Sequence, residues 1–122
     1  MRRISTVIDL VIVVLFVSIG RSVHDHGVSL AGLTSTAWPF VAGLIIGWLI
    51  VMIRRRSGVA PLDGLIVSLA TVSVGMILRV ISGQGTAAAF ILVALAFLGA
   101  MMIGWRVVLA GFRRSRSAGG AA

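Results

Sequence analysis

The residues able to do chemistry are few. The chain has only three carboxylates, Asp9, Asp25 and Asp63, with two histidines, eleven arginines and no cysteine. Without cysteine there is no disulfide, thiolate ligand or thiol nucleophile. Three acids leave little for carboxylate-pair acid–base catalysis, and no phosphate loop, Ser/His/Asp set, H-E-x-x-H or dinucleotide fingerprint is present. The expectation is a non-enzymatic protein without a cofactor, and an intramembrane enzyme is disfavoured.

Two places deserve a chemical reading. Asp9 stands alone in the apolar run "STVIDLVIVVLFVSIG", and Arg106 stands alone in "MMIGWRVVLAG". A lone charge in a hydrocarbon layer costs about 2.5–3.5 kcal/mol on insertion scales, so it is kept neutral, paired or in contact with water. The second place is the loop "GRSVHDHG", where Arg21, His24, Asp25 and His26 would meet Arg79 and Gln84 in one polar cluster. Two histidines around an aspartate suggest a metal. The short spacing, the missing third ligand and the adjacent arginines argue instead for Asp25 bridging Arg21 or Arg79, so no metal site is expected. Backbone donors at Gly83 and Gly85 leave anion binding open at that end.

These charges must be positioned by elements that suit lipid. Of the 122 residues, 59% are hydrophobic and 11% charged, with a mean hydropathy of +1.14. A water-soluble domain this small cannot bury so much apolar surface. Four long apolar runs, about 4–20, 36–53, 65–81 and 87–112, have the length for helical spans, whereas barrel strands would need an alternation that is missing. The fold class predicted is all-α, a four-helix transmembrane bundle occupying 1–112, followed by a flexible basic tail over 113–122. Asp9 within the first run, and no small-residue cleavage site near Gly20, favour a span over a cleaved signal.

Eight arginines (Arg2, Arg3, Arg54, Arg55, Arg56, Arg113, Arg114 and Arg116) fall on one side of the four spans. The positive-inside rule then puts both termini in the cytoplasm (N-in, C-in) of a bacterial cytoplasmic membrane. The arginines do not suggest nucleic acid, because no soluble basic domain remains once the spans are removed. The partners expected are the bilayer and its anionic headgroups.

Depth ties the two inner charges together. Asp9 follows Arg3 by six residues, about 9 Å of helix, and Arg106 precedes Arg113 by seven, about 10.5 Å. The first and fourth helices are antiparallel, so the two share a level, and Asp9 is expected to pair with Arg106, helped by Ser5 or Thr6. The alternatives are Arg106 extending to the headgroups with Asp9 turned to the arginine loop, or a carboxylate coupling protons or cations in a cavity.

Packing signals complete the picture. Gly43 and Gly47 on the second helix, Gly75 in a small-residue stripe of Gly64, Ser68 and Thr71 on the third, and Ala96, Ala100 and Gly104 on the fourth mark close helix contacts, within the chain or between protomers. Trp38, followed by Pro39 in a tolerated first turn, is expected to anchor one interface, and Trp48 and Trp105 the other. Homodimers or larger complexes are consistent with such small surfaces.

"TAWPFVAGLIIGW" and "GMILRVISGQGTAAAFILVA", with "GRSVHDHG" and "GWR", resemble an actinobacterial family of short membrane proteins, the domain of unknown function 3054, over about residues 4–107. That resemblance implies an integral membrane protein and supplies no catalytic residue. A weaker likeness is to small multidrug-resistance transporters, which also carry an acid in the first of four helices and a Trp-Pro near the second. The aspartate at position 9 and the strong arginine bias depart from that family. The function expected is a small transporter or an accessory subunit of a membrane complex, with a dimeric proton-coupled exporter or ion channel as the alternative.

Overall fold

A computed structural model describes residues 2–23, 30–84 and 88–121. Four helices make up the described chain, with no strand among those residues: α1 (Arg2–Val23), α2 (Leu30–Ile53), α3 (Pro61–Ile81) and α4 (Ala88–Ala121). All four contain a segment long and apolar enough to cross a membrane: Arg3–Arg21, Ala31–Ile53, Pro61–Ile81 and Ala88–Arg116. A helix satisfies its own backbone polar groups, which hydrocarbon cannot do for it.

The helices close an up-and-down ring in which α1 touches α2 and α4, and α3 touches the same two. The α2–α3 seam is the most extensive and the α1–α4 seam the thinnest. Glycines explain the first. A Cβ at Gly43 would lie 2.7 Å from the Thr71 carbonyl oxygen, and one at Gly47 would lie 3.0 Å from Val67 Cα. At Gly75 the added atom would meet the Phe40 ring at 2.8 Å, and on the α3–α4 seam one at Gly64 would meet the Met102 carbonyl oxygen at 2.7 Å. These helices approach until backbones touch, the usual route to association where lipid removes the hydrophobic driving force. The centre is filled by Phe16, Phe40, Leu44, Ala94, Leu98 and Met102. Phe16 sets its ring edge-on to Phe40 at 5.6 Å and packs on Phe97 at the same separation.

Three sequence expectations are corrected or narrowed. First, α2 starts at Leu30, ahead of the expected 36, so Pro39 is internal and buried and does not sit in a first turn. A proline leaves the carbonyl four residues earlier without its amide donor. That carbonyl, on Ser35, accepts a hydrogen bond from Gln84 Nε2 at 3.3 Å. Second, α4 runs past Phe112 to Ala121, over the stretch expected as a flexible basic tail. Arginine and alanine are good helix formers, and neither proline nor a capping glycine interrupts Arg113–Arg116. Third, Ala96 and Ala100 are exposed and a Cβ at Gly104 meets nothing within 4 Å, so this row makes no close contact within the chain, and of the two expected contacts only that between protomers stays open.

The α2–α3 turn holds one unusual backbone. Arg56 N–H donates to the Val51 carbonyl at 3.0 Å and Arg55 N–H to Met52 at 3.0 Å, with Arg55 left-handed at φ 54°. This is a Schellman ending with arginine where glycine is usual.

Adding volume at the α2–α3 seam separates the helices, so Gly43→Leu and Gly47→Leu should each lower stability by about 1–3 kcal/mol. Gly104→Ala, facing open space, should be neutral or stabilising. Equilibrium unfolding in mixed micelles checks both.

Candidate functional site

Asp9 lies on the inward face of α1, wholly buried, at the level where α2 and α4 bring Trp48, Trp105 and Arg106 inward. Arg106 Nη2 donates to Asp9 Oδ2 at 2.7 Å and Nη1 to Oδ1 at 3.0 Å, a bidentate pair with both side chains out of reach of solvent. Trp105 Nε1 donates to Oδ1 at 3.1 Å and Trp48 Nε1 to Oδ2 at 3.2 Å. Each oxygen therefore accepts two hydrogen bonds, and a carboxylate offers about four lone-pair positions. The acceptor capacity is filled.

Arg106 is equally engaged. Its Nε donates to the Gly58 carbonyl at 2.9 Å, and Nη1 also donates to Met102 at 2.9 Å. The guanidinium carbon stands 4.5 Å from the Trp105 ring centroid, a cation–π arrangement. Close approach of α3 permits this, because a Cβ at Gly64 would lie 3.0 Å from Arg106 Cδ.

A second buried carboxylate continues the network. Asp63 is the third residue of α3 after Pro61, and it accepts hydrogen bonds from Gly58 N–H at 3.0 Å and Ala60 N–H at 3.1 Å. It also pairs with Arg56 and takes a longer bond, 3.4 Å, from Ser57 Oγ. Asp63 thus caps α3 and folds the 54–60 turn back over the bundle. Gly58 is the joint between the two acids, its N–H on Asp63 and its C=O on Arg106. It does so at φ +85°, where an L side chain is strained.

Trp48 and Trp105, expected as interface anchors, donate their indole N–H groups to Asp9, while Trp38 is exposed at the other end. Thr6 directs its hydroxyl to the Arg3 carbonyl at 2.8 Å. The indoles were within reach of the depth argument, since Trp48 precedes Arg54 by six residues and Trp105 adjoins Arg106. Asp63 also had a signal, a proline and then an acid in the first turn of a helix.

At the far end His24, Asp25 and His26 lie outside the described residues. The remaining members form two ties to α2. Arg21 Nη1 donates to Thr36 Oγ1 at 2.9 Å, its guanidinium lying over Gly32, where a Cβ would fall 2.3 Å from Nη2. Arg79 Nη1 donates to Gln84 Oε1 at 3.1 Å and stacks 4.8 Å from the Phe90 centroid. Gln84 passes the connection to Ser35.

A family model described as "Protein of unknown function (DUF3054)" matches residues 6–109. No curated protein and no solved structure matches the chain.

A buried bidentate pair predicts non-additive mutations. Asp9→Asn and Arg106→Gln should each cost about 3–5 kcal/mol, because each strands the other's charge. Their combination should cost clearly less than the sum, and Trp48→Phe about 1 kcal/mol for one lost hydrogen bond. A double-mutant cycle by unfolding in micelles measures this, and additive costs would contradict the pairing.

Proposed function

The chain belongs to the DUF3054 family, and on that premise we propose a non-enzymatic integral membrane protein that serves as an accessory subunit of a larger membrane complex. The observation that carries this reading is the filled coordination of Asp9. A carboxylate that couples transport must exchange partners with a proton or cation during each cycle. Asp9 instead accepts from two indoles and both guanidinium Nη atoms. Breaking such a buried pair is expensive, which suits a fixed support better than a moving carrier. The phenylalanine packing at the centre acts in the same direction, since it fills the space a conduit through one chain would need.

The outward surface supports a subunit role. Only 17% of the α4 window is buried, against 33–39% for the other three helices. Leu92, Val93, Val107 and Val108 are exposed along it. The transporter reading ranks second, and a dimer-forming channel or exporter third.

Reconstitution separates these readings. The protein alone in liposomes should show no flux driven by a pH gradient. Extraction from native membranes in mild detergent should yield a defined hetero-complex that Asp9→Asn disrupts only as far as it disrupts folding. A homo-oligomer with pH-driven flux that a folded Asp9→Asn variant abolishes would overturn the proposal.

The orientation proposed follows the arginines. With Arg3, Arg54, Arg55 and Arg113–Arg116 at one end, that end faces the cytoplasm of a bacterial inner membrane. A cysteine placed at Ser57 should react with an impermeant reagent in inside-out vesicles and resist it in intact cells; the reverse pattern would contradict N-in, C-in topology.

A further inference from the structure

Between α1 and α2, beneath the 54–60 turn, lies a cavity of about 90 Å³. Ser5 and Thr6 form one wall and Trp48, Val51 and Met52 the other, with Val67, Gly58 and Arg106 behind. The lining is mainly apolar. Of the lining residues, Met52 is half exposed and Thr6 partly so. Next to each wall, toward the arginine-rich end, stands an arginine. Arg3 precedes Thr6 by three residues on the same face of α1, about 4.5 Å further out, and Arg54 follows directly on the last residue of α2, two past Met52. Both are exposed, whereas Arg56 and Arg106 are committed to Asp63 and Asp9.

We propose that this slot binds one anionic phospholipid, an upper acyl segment entering between α1 and α2 while Arg3 and Arg54 hold the phosphate. The argument is one of matched chemistry by depth. A phospholipid places anionic oxygen immediately outside hydrocarbon, and the slot places guanidinium groups immediately outside apolar side chains. Basic groups between helices at the headgroup level are suited to anionic lipids. The small volume fits a stretch of hydrocarbon chain and excludes a bulky solute. Arginine is also the side chain whose planar donors match phosphate oxygens two at a time. The inference stands on the isolated chain and does not depend on the subunit role proposed above.

Trp48 lines the slot and reports on it. Protein carrying Trp38→Phe and Trp105→Phe, which leave Trp48 as the one indole, is reconstituted in phosphatidylcholine containing a small fraction of lipid with brominated acyl chains. Brominated phosphatidylglycerol should quench Trp emission several-fold more, mole for mole, than brominated phosphatidylcholine. Adding Arg3→Gln and Arg54→Gln should reduce phosphatidylglycerol to the phosphatidylcholine level, and Thr6→Phe, which fills the slot, should lower quenching while the arginines remain. An unchanged thermal midpoint certifies the folded state of each variant. Equal quenching by the two lipids overturns the proposal, as does a preference that survives loss of both arginines. A preference untouched by Thr6→Phe overturns the slot as its location. If Thr6→Phe shifts the midpoint, Thr6→Leu replaces it and is read the same way.

Discussion

A carboxylate inside a hydrocarbon layer must be surrounded by donors, and that requirement organises this molecule. Asp9 is the only acid of α1, and it draws in groups from two other helices, Trp48 from α2 and Trp105 with Arg106 from α4. The α1–α4 seam is the thinnest in the ring, and it is there that the bidentate pair sits. Where helix surfaces offer little van der Waals contact, a directional ionic contact sets rotation and depth together. Arg106 then passes the constraint to the Gly58 carbonyl, and Gly58 to Asp63. One buried acid therefore fixes the first helix, the last helix and the central turn.

The bundle is built differently along its length. The arginine-rich half relies on charges neutralised in pairs. The middle relies on aromatic and aliphatic packing around Phe16 and Phe40, with glycines at 43, 47 and 75 allowing α2 and α3 to meet. The far half uses single hydrogen bonds: Arg21 to Thr36, and Arg79 through Gln84 to Ser35. The last of these repairs a gap that Pro39 leaves in the α2 backbone. A proline in a spanning helix is tolerable only if something else satisfies the freed carbonyl, and the side chain after α3 supplies it.

Much of this was legible because lipid makes the rules strict. Length and apolarity gave four helices, and counting residues from the flanking arginines put Asp9 and Arg106 at one depth. The same count applied to Trp48 and Trp105 would have put two more donors at that level. Their aromatic character suggested the interface first, since tryptophan is common there, and one sequence does not tell which way a ring turns. Asp63 was counted only as one of three acids, although its place after Pro61 is a helix-start signal. The apolar run was counted from 36 because "LAGLTSTAW" is only mildly apolar, and the contacts it receives from Arg21 and Gln84 are not revealed by sequence spacing. The outward turn of Ala96, Ala100 and Gly104 was equally hidden, since a small-residue row looks the same against a neighbour or against lipid.

The central claim is that Asp9 and Arg106 are in direct contact inside the membrane. Solid-state NMR on protein in lipid bilayers, with carbon-13 at the Asp9 carboxylate and nitrogen-15 in the Arg106 guanidinium, measures that contact through their dipolar coupling. Strong dephasing corresponding to hydrogen-bonded nitrogen and carboxylate is the predicted result, in keeping with oxygen–nitrogen separations of 2.7 and 3.0 Å. A coupling too weak to detect, with the arginine signal matching a headgroup-exposed guanidinium, would contradict it.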